Sequence, residues 1–284
     1  MNPIKFTKME GAGNDYIYIN LFEEQLENPP EMAQQMSHRH FGAGSDGLVL
    51  IAPSQSADIR MIMYNPDGSE SEMCGNAIRC VGKFAWERQL VHGQKITVET
   101  GAGIKTLALN VNTNNRVESV TVNMGEPELN PQRIPSTLEG ETVVNQPFDF
   151  GPFKLHGTLV SMGNPHFVTF VDQVEDIPVK EWGSLIEHDT RFPNRINVEF
   201  VQVLSRTEVR QRTWERGAGE TWACGTGASA VCVAGVLNGL TDETILNHLL
   251  GGDLRLTWQG PGHQVIMEGG AREVYTGIWN PVEG

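Results

Sequence analysis

Two cysteine stretches constrain what this chain can become: Ser71 to Cys80 reads SEMCGNAIRC, and Thr221 to Ser229 reads TWACGTGAS. Each sets a cysteine directly before a glycine and a small or polar residue, where a helix is about to begin. The two are in register at an offset of 150 residues (74 to 224). The same offset carries Glu70 onto Glu220, Gly75 onto Gly225 and Gly13-Asn14 onto Gly163-Asn164, and it sets Asn65 over Glu215 and Gly47 over Asn197. One offset shared by separated patches implies a duplicated unit, each copy delivering one thiol to a common centre. Such a centre suits chemistry with a base on each face of a substrate carbon.

The hydrophobic pattern repeats along the chain in the same order. Alternation predicts strands over Ile4 to Met9 and Tyr16 to Leu21, then Leu48 to Ala52 and Ile59 to Tyr64. Helical spacing predicts helices over Met32 to His40 and Asn76 to Leu90, and strands follow at Lys95 to Glu99, Ile104 to Val111 and Val117 to Asn123. In the second half the strands are Phe153 to Ser161, Phe167 to Val171, Val198 to Val203, Glu208 to Trp214, Leu254 to Trp258 and Val265 to Glu268, with a helix at Trp182 to His188. Ala228 to Leu237 is apolar on every side, and a helix of that kind must be buried. Gly125-Glu126-Pro127 and the proline-rich run to Pro135 predict a crossover. The fold class expected is α+β: two pseudo-symmetric halves, each a mostly antiparallel sheet or barrel wrapped around a central helix. Residues 1–118 form the half carrying Cys74, with the tail 273–284 packing back on it, and residues 119–272 the half carrying Cys224.

Charge narrows the partners. With 21 basic against 35 acidic side chains the formal charge is −14, and Lys/Arg runs are lacking. That sign opposes binding to a nucleic acid or an anionic membrane, although a local site can still hold a small anion. A charged-then-apolar leader and a run long enough to span a membrane are both lacking, so a cytoplasmic enzyme is expected. Disulfides are not expected of the four cysteines in that setting. Cysteine spacings of six (74 to 80) and eight (224 to 232), without clustered histidines, fit zinc poorly, and a metal site is not expected. Cys80 and Cys232 fall one to two turns inside the helices and read as small buried hydrophobes.

The thiolate, not the thiol, is the useful base, and the first turn of a helix offers unpaired N–H groups and a positive dipole end. Cys74 before Gly75-Asn76 and Cys224 before Gly225-Thr226 therefore stand where a thiolate is stabilised. The glycines let a ligand approach the backbone, and the same amides can hold a carboxylate. Helix N-termini on a carboxylate acidify its α-carbon, so one sulfur can remove the proton and the other return one from the opposite face. The pair titrates as a coupled unit with a bell-shaped profile. His166 and Glu215 are the candidates for setting the protonation of the thiols. Glu215-Arg216, at the end of a strand before a Gly-Ala-Gly turn, suits the ammonium and carboxylate of a zwitterion better than a surface ion pair. Asn14, Asn65, Asn164 and Asn197 read as turn residues or as ligand-binding amides, their recurrence favouring the latter. The pairing of His166 with Tyr16 across the repeat hints at a mouth or lid position.

These residues resemble the diaminopimelate epimerase family along nearly the whole chain. The matching stretches are KMEGAGNDY, HFGAGSDGL, YNPDGSESEMCGNAIRC, VNMGEP, SMGNPHFV, RFPNRINVEF, WERGAGETWACGTGAS and REVYTG. The resemblance implies a cofactor-independent epimerase that interconverts LL- and meso-2,6-diaminopimelate, on the route to lysine and peptidoglycan. By matching positions it implies Cys74 and Cys224 as acid/base thiols assisted by His166 and Glu215. It implies substrate contacts at Asn14, Asn65, Asn164, Asn197, Glu215-Arg216, Gly75-Asn76 and Gly225-Thr226. It further implies a homodimer involving Tyr275. Where some relatives carry a ligand-touching glutamine, this chain has Gly47. No lysine stands beside a phosphate-cradling glycine loop, so pyridoxal phosphate is not expected. A proline or hydroxyproline racemase would have no use for the asparagines together with Glu215-Arg216. A thiol redox or metal-storage protein would use the same cysteines without exchanging a carbon-bound proton.

Overall fold

Strand alternation at the start of the chain is realised as a hairpin in the computed structural model, which describes residues 3–280. β1 (Ile4–Gly11) pairs antiparallel with β2 (Asn14–Asn20), and the turn between them passes through Ala12 and Gly13 at positive φ, 55° and 79°. After α1 (Pro29–Ser37), β3 (Leu48–Ala52) lies parallel to β2, and β4 (Ile59–Tyr64) returns antiparallel to β3. The short β5 (Glu70–Ser71) leads into α2 (Gly75–Glu87). β6 (Lys95–Thr100) then lies parallel to β4 and begins a meander with β7 (Gly103–Val111) and β8 (Val117–Gly125).

The second unit repeats the order. It comprises β9 (Gln146–Asp149), β10 (Lys154–Ser161), β11 (Pro165–Phe170), α3 (Val179–Glu187), β12 (Asn197–Ser205) and β13 (Glu208–Glu215). β14 (Gly219–Thr221), α4 (Gly225–Leu237), β15 (Thr244–Leu249), β16 (Gly252–Thr257) and β17 (Val265–Gly270) follow. β18 (Arg272–Trp279) then pairs with β1. The chain divides at Val122/Asn123 and again at Glu268/Gly269, so the first unit holds both termini of the described chain and the second unit is Asn123–Glu268. Residues 281–284 of the expected tail lie outside the described residues.

The duplication holds at the level of backbone pairing. α1 and α3, and likewise α2 and α4, are 150 residues apart at both ends. Val49 faces Met63 across β3 and β4, and their counterparts Glu199 and Thr213 face each other across β12 and β13. In each unit a parallel pair follows the hairpin, β2 with β3 in the first and β11 with β12 in the second.

Packing follows from the pattern. Ile17, Ile19, Leu48, Leu50 and Met36 form a core in the first unit, and α2 buries Ile78, Val81, Phe84 and Ala85. In the second unit Phe148, Phe167, Phe192 and Phe200 pack together, Phe148 meeting Phe167 edge to face at 5.0 Å between centroids. α4 is buried from Gly227 through Gly235, as an all-apolar helix requires. Burying Val231 and Val233 alone is worth about 1.5–3 kcal/mol each.

Two features differ from the sequence reading. The proline-rich run is packed in place: Ile134 and Val143 are fully buried in the phenylalanine core, and the Leu159 amide bonds the Val143 carbonyl. α2 and α4 also begin earlier than the hydrophobic spacing shows, at the glycine after each cysteine. Cys74 and Cys224 are therefore the N-caps themselves, both extended (φ −132° and −121°).

Candidate active site

In the first unit the turn between β1 and β2 brings Asn14 to the start of α2. The Cys74 Sγ–H donates to Asn14 Oδ1 at 3.4 Å, and Asn76 Nδ2 donates to the same oxygen at 3.5 Å. Asn14 is held in that orientation because its Nδ2 donates to Asp46 Oδ2 at 2.7 Å. Asp46 in turn accepts from Arg39 at 2.7 Å, and Asp15 is held by Arg39 and Lys8. These cations hold the Asp15 carboxyl below the usual carboxylate range against the opposing effect of burial. The Tyr16 phenol lies beside Cys74 and Asn14, and burial first, then the thiolate charge, pushes its pKa well up. Beneath the helix start lies a fully buried guanidinium. Arg79 donates to the Gly75 carbonyl at 3.0 Å, to Asn76 Oδ1 at 3.1 Å and to the Gly270 carbonyl at 3.2 Å. Burial lowers its pKa, while Cys80 and then Cys74 favour the cation, so its charge lies within electrostatic reach of both sulfurs.

Asn65 sits apart from these contacts. Its Nδ2 donates to Ser69 Oγ at 3.0 Å and its N–H to the Ser69 carbonyl, the ordinary work of a turn asparagine. At Gly47 the backbone is pressed against the Tyr64 carbonyl and the Tyr16 ring, and a Cβ would sit 2.9 Å from Tyr16 Cε1. A glutamine has no room there without moving the backbone.

In the second unit Cys224 caps α4 differently. Its Sγ accepts from the Gly227 N–H at 3.4 Å and lies 3.4 Å from Thr226 Oγ1. Glu215, at the end of β13, accepts from Thr221 Oγ1 at 2.5 Å, and its carboxyl contacts the Cys224 thiol. Burial pushes the Glu215 carboxyl up, with the Glu199 charge adding to the rise, so the protonated acid is favoured. The expectation of a stabilised thiolate does not hold at Cys224. Burial, then the charges of Glu215 and Glu199, raise its pKa well above the ordinary thiol value, outweighing the bonds from Thr226 and Gly227.

His166 is not a mouth or lid residue: it is fully buried, with Nδ1 2.8 Å from Glu199 Oε1 and Nε2 3.0 Å from Asn164 Oδ1. Asn197 spans two elements, donating to the Pro165 carbonyl at 2.8 Å and accepting the Arg216 N–H at 3.0 Å. The Arg216 guanidinium is exposed and bonds the Asn194 carbonyl at 3.2 Å. The turn behind it is fixed by Glu187, which accepts from the Gly217 N–H at 2.9 Å and from Trp214 Nε1 at 2.7 Å. Gly75, Asn76, Gly225 and Thr226 occupy the first turns of α2 and α4. Cys80 and Cys232 are buried, and burial pushes both thiols up to about 12, which removes them from chemistry at neutral pH. Among the described residues, no cluster of His, Cys, Asp and Glu could hold a metal ion, and no helix is long and apolar enough to cross a membrane.

Sequence reasoning missed Arg79, Asp46 and Glu199, all of which touch or charge the two half-sites. Glu199 carried a signal: at the repeat offset its counterpart is Val49, and a carboxylate replacing a buried valine needs a reason.

The profile of the family described as diaminopimelate epimerase matches residues 6–130 and 158–274. The diaminopimelate epimerase of Acetivibrio thermocellus is 52% identical over 274 residues, spanning 96% of this chain and 98% of that protein. The one from Methanococcus maripaludis strain C6 is 48% identical over 274 residues, spanning 96% and 99%. Among solved structures, a PhzF-family phenazine biosynthesis protein of Bacillus anthracis superposes with a TM-score of 0.70 at 17% identity, over 99% of this chain and 100% of that one. A hydroxyproline epimerase from Agrobacterium vitis, with bound trans-4-hydroxy-L-proline, gives 0.64 at 14% identity, over 98% and 91%. These two likenesses are of fold.

Proposed function

The chain belongs to the diaminopimelate epimerase family, and from that premise we propose that it interconverts LL- and meso-2,6-diaminopimelate by a two-base mechanism without a cofactor, supplying lysine and peptidoglycan precursors. The observation that carries the mechanism is the matched pair of cysteine N-caps, one opening α2 and one opening α4. One thiolate removes the α-proton and the other thiol delivers a proton to the opposite face, inverting the centre. The reverse reaction exchanges the two roles. Gly75-Asn76 and Gly225-Thr226 supply first-turn amides to the α-carboxylate, where negative charge develops as the proton leaves.

Cys224, whose carboxylate neighbours favour the thiol, is the proton donor when Cys74 is the base. Glu215 and His166 set the proton count on Cys224 for the return direction. Asn14, Asn65, Asn164, Asn197 and the Glu215-Arg216 pair bind the substrate's polar groups. Arg216 is exposed, and so available to a carboxylate in the planar two-bond geometry that guanidinium favours. A cytoplasmic homodimer completes the reading. Its support is the exposed Val274, Tyr275 and Ile278 on β18, with the Tyr275 ring braced edge-on against Phe6 at 6.0 Å.

The test is incubation with LL-diaminopimelate in deuterated water. Inversion with deuterium incorporated at one α-carbon is expected. No exchange, or exchange only of proline or hydroxyproline, would refute the assignment. Sedimentation of the wild type beside Tyr275→Glu tests the dimer, and monomer in both would remove it.

A further inference from the structure

The Glu199 carboxylate is enclosed, and two of its bonds run toward it. Glu199, His166 and Asn247 are fully buried, and Gln211 and Thr213 nearly so. Oε2 accepts from Thr213 Oγ1 at 2.6 Å and Gln211 Nε2 at 2.7 Å. The relay continues further back. Asn247 Nδ2 donates to Gln211 Oε1 at 2.5 Å, which turns the Gln211 amide so that its nitrogen faces Thr213 and Glu199. With Gln211 Nε2 donating to Thr213 Oγ1 at 2.8 Å, the threonine hydroxyl has only the carboxylate to receive its hydrogen. The relay therefore ends on Oε2 as an acceptor of two hydrogens. Its other oxygen, Oε1, meets His166 Nδ1 at 2.8 Å, the length of a bond in which Nδ1–H donates to a carboxylate.

The fold reserves space for this carboxylate. Gly227, in the first turn of α4, lies so close that an added Cβ would sit 2.7 Å from Glu199 Cδ. The counterparts in the first unit are Val49 and Ala77, both buried and apolar. Met61 and Met63 stand where the second unit has Gln211 and Thr213. A polar relay has therefore replaced a hydrophobic one on the side of the repeat that holds His166 and Cys224.

We propose that Glu199 is a positioning residue of this half-site, holding His166 in its Nδ1–H form with Nε2 turned toward Asn164, and fixing a negative charge beneath the helix that Cys224 caps. The inference rests on the proposed acid/base role of Cys224. The titratable groups that face Glu199 are His166 from β11, Glu215 from β13 and Cys224 from α4; β15 presents Asn247. A buried carboxylate on a histidine Nδ1–H sets both tautomer and ring direction, and replacing it by an amide permits the wrong tautomer. An amide would also remove the charge that opposes ionisation of Glu215 and Cys224.

The experiment compares wild type, Glu199→Gln, His166→Gln and the double variant. First, the imidazole nitrogens are observed by nuclear magnetic resonance, with the His166 signals assigned by their loss in His166→Gln. The wild type is expected to show a downfield Nδ1–H resonance that Glu199→Gln abolishes. A wild-type ring with hydrogen on Nε2 and Nδ1 bare would overturn the proposal, and that measurement stands even if Glu199→Gln fails to fold. Second, turnover is measured. Glu199→Gln is expected to lose on the order of 10–100-fold in kcat with KM within about twofold, and the double variant to be no slower than His166→Gln. Independent losses that multiply in the double variant would overturn it, as would a near-native kcat in Glu199→Gln. If wild type fails to turn over diaminopimelate, the functional reading fails, while the resonance still decides the role of Glu199 at His166.

Discussion

The starts of α2 and α4 share a backbone and differ in what lies beneath them. Under α2 is a buried cation, Arg79, with Cys74 giving its hydrogen to Asn14. Under α4 is a buried anion, Glu199, with Cys224 accepting a hydrogen from a main-chain amide. At Cys224 the deep charge and the near hydrogen bond push the thiol in opposite directions. Glu199 disfavours a thiolate that the Gly227 N–H favours. At Cys224 burial and the carboxylates outweigh that amide, so the thiol form is favoured there. The two helix starts match in backbone and differ in the buried side chain beneath them.

The largest effect that can break this comparison is on turnover. Cys74→Ala and Cys224→Ala are each expected to lose on the order of 10²–10⁴-fold or more in kcat with melting temperature preserved, since each removes a thiol proposed to move the proton. Near-native turnover in either variant would mean that only one half-site is chemical. Next is stability at the buried cation. Arg79→Met strips three carbonyl or amide oxygens of their donor and is expected to cost about 2–4 kcal/mol in urea unfolding. A neutral result would show that the guanidinium serves charge alone.

Smaller still are the effects at the equivalent helix positions. Gly227→Ala presses a methyl into Glu199 and is expected to cost about 1–3 kcal/mol. Ala77→Gly, its counterpart, is expected to cost about 1 kcal/mol from helix propensity. Equal costs would mean that Glu199 yields freely. Iodoacetamide labelling sharpens the charge difference: as pH rises, Cys224 is expected to react only above the ordinary thiol range, behind the more accessible Cys74, which faces Arg79 and Tyr16. Coincident labelling curves would remove it.

The smallest effect concerns Glu215. Its folded pKa is raised, so the native state holds its proton over a pH range where the unfolded chain has lost it. Stability therefore falls as pH rises from the unfolded carboxylate value to the folded one. Glu215→Gln removes that loss, so its stability relative to wild type is expected to rise through the same window. A pH-independent difference would place Glu215 in solvent.

Much of this was legible in the sequence because duplication leaves a period that local pattern reading can detect. The 150-residue offset located both thiols, and both long helices repeat at it to the residue. Periodicity marks which residues are apolar, and it placed α4 in the interior. It did not mark β9, where Pro147 interrupts a short polar strand, nor the burial of Ile134 within a proline-rich run. Alternation alone would put the acidic residue of INVEF on the outward face of a strand. Only the pairing of β12 with both β11 and β13, beneath a helix, turns Glu199 inward and encloses it.

The missing side chain at Gly227 has a consequence for the ancestry of the fold. The repeats can no longer exchange their helices. A copy of α2 grafted into the second unit would bring Ala77 into the space of the Glu199 carboxylate, and a copy of α4 in the first would leave a hollow over Val49. Glycine at 227 and glutamate at 199 are a matched pair, and a larger residue at the first must displace the second.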